Sequence, residues 1–195
     1  IIQVSHGMCE KALRYSYVAK ELVKNGYGVY INDHLGHGKT ANNEYGYMGK
    51  GDGFLMMVSD MNKLTDIIKQ NHPESKIFLL GHSMGSFLAL RYIQLYSNKL
   101  AGVIFSGTGG YDQVSSSQVG SSVAKVSMDL FGPKRKAILI EKITKKKFNK
   151  RIDKVVTGNE WLSRDIDALK DFGKGCDTGF IFTSSAYYYM FKGMI

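Results

Sequence analysis

The sequence has no uninterrupted apolar run approaching the roughly 18 residues of a membrane-spanning helix, and nothing at its start reads as a secretory signal. A cytoplasmic location is therefore expected, with peripheral membrane attachment left open. Two cysteines, Cys9 and Cys176, supply neither a disulfide framework nor metal-ligand spacing, so each reads as a small free hydrophobe. G-x-G-x-x-G is absent, which removes the usual dinucleotide fingerprint. No histidine lies beyond residue 82. What remains is an ordinary globular composition: 195 residues, 44% hydrophobic, with a formal net charge of +9. That length buries a sizeable core and suits one domain, or one domain with a large insertion.

The most informative stretch is Ile77-Phe78-Leu79-Leu80-Gly81-His82-Ser83-Met84-Gly85, in which a short apolar run enters G-x-S-x-G and an apolar helical pattern follows. Strand, tight turn and helix in that order make a nucleophile elbow. The serine must stand clear of the backbone on a turn where neighbouring Cβ atoms would collide, so Gly81 and Gly85 flank Ser83 two residues away on either side. No Lys-Ser or Lys-Thr follows these glycines, which argues against a phosphate-cradling loop. Ser83 is the candidate nucleophile, with Gly81, His82 and Gly85 supporting the turn.

A second signal lies upstream, where an apolar strand over residues 1–5 runs into His6-Gly7-Met8. Acyl transfer needs two backbone donors for the oxygen of the tetrahedral intermediate: one from the residue after the nucleophile, one from the loop after an earlier strand. Met84 and Met8 are the candidates, with His6 and Gly7 shaping the loop. Together with Glu10, Arg14-Tyr15 and Asp33-His34-Leu35-Gly36-His37-Gly38-Lys39-Thr40, these motifs resemble the α/β-hydrolase superfamily. Within it they resemble the monoacylglycerol lipase and lysophospholipase group, labelled serine aminopeptidase-like. The resemblance covers the first half of the chain. It implies an α/β-hydrolase fold and a serine ester hydrolase acting on a monoacyl lipid through an acyl-enzyme intermediate, with no cofactor and no metal. An aminopeptidase-like serine hydrolase and a non-catalytic binding protein on the same fold are the alternatives.

A triad of this type runs in chain order serine, acid, histidine, yet His6, His34, His37, His72 and His82 all precede Ser83. The resemblance implies an acid and a base on loops after two further strands, and the chain reaches Ile195 before any such strand. A segment without its triad acid and base, inactive by itself, is the expectation. His6 and His82 adjoin the site, but a residue next to the nucleophile points elsewhere on an elbow and a base must reach the hydroxyl. Asp33, His34 and His37 look like metal ligands on paper, yet they match a loop that the resemblance makes structural.

Alternating patterns organise the first 110 residues. Tyr15, Val18, Ala19, Leu22 and Val23 keep helical rhythm up to Asn25-Gly26, and residues 27–32 read as a strand. Residues 36–52 are glycine-rich and read as a surface loop. Phe54, Met57, Val58, Met61, Leu64, Thr65 and Ile68 restore helical spacing until Asn71-His72-Pro73. A strand over 76–80, a helix carrying Phe87, Leu88, Leu90 and Leu95, and a strand over 101–105 complete a parallel sheet with helices on both faces. Such a topology places the elbow at the carboxyl ends of the strands.

From residue 111 to 195 the alternation stops, and the resemblance implies a helical cap over the site. Within it, residues 134–154 hold ten Lys or Arg against Glu141 and Asp153. That cluster reads first as a solvated helical face and second as a dock for anionic membrane. No recognition motif accompanies the charge, so nucleic acid is not expected. Residues 176–195 are rich in aromatics, which read as core packing or, with Met48, Met56 and Met57, as an acyl-chain pocket. The oligomeric state is left open.

Overall fold

The computed structural model describes residues 1–110 and 113–195, so the expected boundary at 110/111 lies at the edge of the described residues. Four parallel strands form one sheet: β1 (Ile2–Ser5), β2 (Val29–Ile31), β3 (Phe78–His82) and β4 (Gly102–Ser106), in the spatial order β2-β1-β3-β4. Three helices connect them: α1 (Ser16–Lys24), α2 (Gly53–Asn71) and α3 (Met84–Tyr96). The chain steps outward from β1 to β2, then returns to β3 and steps the other way to β4. Right-handed crossovers then put α1 on one face and α2 and α3 on the other. The switch point falls between β1 and β3, whose register sets Ser5 opposite Gly81.

Local chemistry explains the long helix α2. The Asp52 carboxylate caps it by accepting from the Leu55 N–H at 3.1 Å, and Phe54, Met57, Val58, Met61, Thr65 and Ile68 form one buried stripe. The helix ends at His72, before Pro73. Beneath it, the buried Gln3 side chain donates to the Met61 carbonyl at 2.8 Å and accepts from the Thr65 hydroxyl at 2.7 Å, so neither polar end is left unpaired.

Three expectations shift. On α3 the buried stripe is Met84, Leu88, Ala89 and Tyr92, while Leu90 lines a cavity shared with α2 and residues 192–195 and Leu95 is exposed. On α1 no residue is buried, and Val18 and Val23 face outward. The glycine-rich loop is not purely a surface feature. Met48 sits in the core, and the Gly46 carbonyl accepts from both the N–H and the hydroxyl of Thr183, each at 3.0 Å.

The remaining described residues form α4 (Gln113–Phe131), α5 (Ile138–Phe148), α6 (Ile166–Asp171) and α7 (Ser184–Gly193). Helices α4 and α7 pack closely where Gly120 leaves room for the Phe191 ring. The buried Glu141 on α5 accepts from the Tyr187 hydroxyl at 2.5 Å and pairs with Lys145 at 3.2 Å, tying α5 to α7. Phe182 and Tyr187 are fully buried in one cluster with Met48 and Met57, whereas Met56 is exposed. Phe182 and Tyr187 of the aromatic tail are core packing, whereas Phe180, Tyr188, Tyr189 and Phe191 are partly buried. No helix among the described residues is long and apolar enough to cross a membrane.

Candidate active site

The site stands where the loops after β1 and β3 leave adjacent strands. Ser83 occupies the turn between β3 and α3 at φ 52°, ψ −118°, half-buried, in a region that costs a non-glycine residue about 1–3 kcal/mol. Close packing holds it there. A Cβ on Gly81 would lie 2.5 Å from the Gly85 carbonyl oxygen and 2.8 Å from the Ser86 Cα, and one on Gly85 would run into the Ser5 carbonyl. The Ser83 N–H donates to the Ser106 carbonyl at 2.9 Å, and its carbonyl accepts from the Ser86 N–H at 2.9 Å and the Ser86 hydroxyl at 2.6 Å. Ser86 and Ser106 carry no motif signal, and only the folded turn reveals them as braces.

The loop after β1 lies against this turn: a Cβ on Gly7 would come 3.3 Å from the Ser83 Cβ. Two groups set its shape, the buried His6 and the partly buried Glu10. His6 Nδ1–H donates to the Gly7 carbonyl at 2.8 Å, while its Nε2 accepts from the His34 N–H at 3.0 Å. The Glu10 carboxylate accepts from the Gly7 N–H at 2.8 Å, from the Tyr15 hydroxyl at 3.1 Å and from Arg14 at 3.3 Å. The peptide is planar and trans, so fixing the Gly7 carbonyl turns the Met8 N–H the opposite way. Among the described residues that N–H has no acceptor. Met84 is the first residue of α3, where backbone N–H groups lack intrahelical acceptors.

The histidines are structural in their bonding. Both ring nitrogens of His6 are engaged away from Ser83, and His82 Nδ1 lies 3.1 Å from the Ser106 hydroxyl. His37 Nδ1–H donates to the Leu35 carbonyl at 2.9 Å, and its Nε2 accepts from the Cys9 N–H at 3.2 Å. Burial pushes the imidazoles of His6 and His34 below their ordinary pKa and that of His37 down to about 3, so all three stay neutral and two of them accept from backbone N–H groups. Asp33 accepts from Ala12 N–H at 2.7 Å and Lys39 N–H at 2.9 Å, joining the first loop to the glycine-rich one. Among the described residues no side chain hydrogen-bonds the Ser83 hydroxyl. A cavity of about 680 Å³ between α2, α3 and α7, lined in part by Phe54, Phe87, Arg91 and Lys192, does not include Ser83.

A parallel sheet with a strained serine at its switch point, facing a glycine loop from the neighbouring strand, defines the α/β-hydrolase class of fold. The chain belongs to the Hydrolase_4 family, described as serine aminopeptidase, S33, whose model matches residues 1–194. It is 31% identical over 128 residues to a monoacylglycerol lipase of Mycolicibacterium smegmatis, a match covering 65% of this chain and 44% of that protein. It is 34% identical over 90 residues to the monoglyceride lipase of Rattus norvegicus, covering 46% of this chain and 28% of that protein. The structure of a thermostable carboxyl esterase from Bacillus coagulans, in complex with glycerol, superposes with a TM-score of 0.88 at 28% identity, covering 99% of this chain and 63% of that one. The chain thus spans less than half the length of these two relatives and under two thirds of the esterase.

Proposed function

We propose that the chain is the nucleophile-bearing part of a serine carboxylic-ester hydrolase acting on monoacyl lipids such as a monoacylglycerol or lysophospholipid. The observation that carries this reading is Ser83 at positive φ on the β3–α3 turn with the Gly7 loop packed against it. Ser83 Oγ attacks the ester carbonyl, and the N–H groups of Met8 and Met84 receive the oxyanion. The tetrahedral intermediate collapses to an acyl-serine ester, the alcohol leaves with the proton taken from Ser83, and water then releases the fatty acid. The step needs a base to carry this proton; both ring nitrogens of His6 are engaged by the Gly7 carbonyl and the His34 N–H, and His82 Nδ1 faces the Ser106 hydroxyl. The region 111–195, expected from the resemblance to be a helical cap, is read as covering the site.

The substrate class rests on the relatives named as monoacylglycerol and monoglyceride lipases. A lipid substrate also suits α5, where Ile138, Leu139 and Ile143 are exposed beside the cationic Lys142, Lys146 and Lys147. A merely solvated face has no need of those isoleucines, and an anionic surface rewards both kinds of side chain. This makes a cytoplasmic protein that visits a membrane periphery part of the reading.

The family's description as a serine aminopeptidase keeps peptide-bond cleavage as a second reading. One panel separates them: the whole protein and its Ser83→Ala variant assayed on a monoacylglycerol, a p-nitrophenyl acyl ester and an aminoacyl p-nitroanilide. Ester turnover should fall by about 10⁶ on loss of the nucleophile. Turnover of the anilide alone would support the peptidase, and ester hydrolysis surviving Ser83→Ala would overturn the assignment. No turnover of any substrate by the native protein would leave a binding module.

A further inference from the structure

Ser83 is not the only non-glycine residue bent into the left-handed region at this site. Cys9, immediately after the proposed donor Met8, sits at φ 59° and is buried. At Ser83 the strain is held by glycines two residues away. At Cys9 the holding groups come from far along the chain. Its N–H donates to His37 Nε2 at 3.2 Å, its carbonyl accepts from the Gly179 N–H at 2.9 Å, and its thiol donates to the Phe180 carbonyl at 2.8 Å.

The segment supplying the last two bonds, residues 172–180, crosses the loop after β1 as a strap with its own fastenings. Asp177 pairs with Lys11 at 2.5 Å, and the Arg14 guanidinium lies 5.2 Å from the centre of the Phe172 ring. The Thr178 hydroxyl accepts from the Gly173 N–H at 3.1 Å and closes the strap's internal turn. Gly179 is at φ 65°, and a Cβ there would come 2.9 Å from the Gly173 Cα, so the turn has little freedom. The Phe180 ring packs edge-on against His37 at 5.2 Å, tying the strap to the imidazole that holds the Cys9 N–H.

We propose that this strap is a positioning element for catalysis: Asp177, Thr178, Gly179 and Phe180 hold Cys9 in its left-handed conformation and so aim the Met8 N–H at the oxyanion. The Cys9 side chain acts as a hydrogen-bond donor to the strap, and neither it nor the strap touches substrate. The helical region is thereby coupled to the rate of the chemical step as well as to access. A peptide plane displaced by a few tenths of an ångström weakens an oxyanion donor without changing what the site binds in the ground state.

This inference rests on the ester-hydrolase reading, and the experiment separates the two. The whole protein is compared with Thr178→Val, Asp177→Asn, Cys9→Ala and Cys9→Ser on a soluble p-nitrophenyl ester. An acyl trifluoromethyl ketone, which places a charged oxygen in the oxyanion site, serves as inhibitor. Expected are a fall in kcat of about tenfold or more for Thr178→Val and Cys9→Ala, below the 10²–10³ of deleting a donor outright, and KM within about twofold. Ketone affinity should fall in proportion to kcat, with recovery toward native kcat in Cys9→Ser, which keeps a donor. A variant that fails to fold is replaced by the charge exchange Lys11→Asp with Asp177→Lys, which should restore what Asp177→Asn loses. Unchanged kcat, a rise in KM alone, or ketone affinity that ignores the fall in kcat would overturn the strap's role while Ser83→Ala remains inactive. Activity surviving in Ser83→Ala would overturn both.

Discussion

The elbow after β3 and the loop after β1 solve the same problem by different means. Each places a non-glycine residue at positive φ beside the reacting position, Ser83 at 52° and Cys9 at 59°. The elbow is mostly local: Gly81, Gly85 and Ser86 lie within three residues of the serine, and its outside contacts, the Ser106 carbonyl and the Ser5 carbonyl, come from the neighbouring strands of the sheet. The first loop is assembled from His6, Glu10, His34, His37, Gly179 and Phe180, which come from three stretches of the chain. A locally built turn stands or falls with the sheet. A loop built from distant parts can be adjusted by conditions that leave the sheet intact.

The largest effect that tests this contrast is on the elbow. Gly85→Ala pushes a methyl into the Ser5 carbonyl where β1 and α3 meet, and neither partner is a flexible side chain. The variant is expected to lose more than about 3 kcal/mol of stability or to fail to fold, read by urea denaturation of the whole protein. A native midpoint would mean that the close approach of the two strands' loops is misplaced.

A smaller effect belongs to the first loop and to acid. His37 is neutral when folded down to about pH 3, but takes a proton near 6.5 when unfolded. Its contribution is therefore complete above pH 6.5 and falls as pH drops toward 3, by about 1.4 kcal/mol per pH unit for one histidine. His37→Gln offers an amide oxygen to the Cys9 N–H without titrating. Between pH 7 and 5 its stability should decline less steeply than that of the native protein, by about 2 kcal/mol at pH 5. Parallel pH profiles would show that His37 is not buried as a neutral brace.

The smallest expected effect lies outside both loops. Lys145 pairs with the buried Glu141, so the exposed Lys146, Lys147 and Lys150 are the residues to reverse. Their change to Glu should weaken sedimentation with anionic vesicles at low salt by severalfold, leave neutral vesicles unaffected, and lose its effect as salt shortens the screening length. Equal binding by both forms would leave α5 an ordinary solvated helix.

What the sequence disclosed follows the same division. Ser83, Gly81 and Gly85 were readable because elbow chemistry is compressed into five residues, and α2 because six apolar positions, with Thr65, repeat at helical spacing. His6-Gly7-Met8 was placed beside the serine by the need for a second oxyanion donor from the loop after an earlier strand, and by the resemblance; the β1–β3 pairing that brings it there is seen in the fold. The strap was not readable. Cys9 and Phe180 are 171 residues apart, and a cysteine among apolar neighbours carries no sign that its backbone is left-handed. The exposure of Leu90 and Leu95 was hidden for a related reason: apolar spacing shows that a helix has a buried side, but not how much of its apolar surface the neighbouring elements cover.

The central claim is that Ser83 is the nucleophile, and covalent labelling tests it most directly. The whole protein treated with a fluorophosphonate and digested should yield one phosphonylated peptide, the one containing Gly81-His82-Ser83-Met84, and that adduct should vanish in Ser83→Ala. An adduct on another residue, or ester hydrolysis that persists when Ser83 remains unlabelled, would contradict the account.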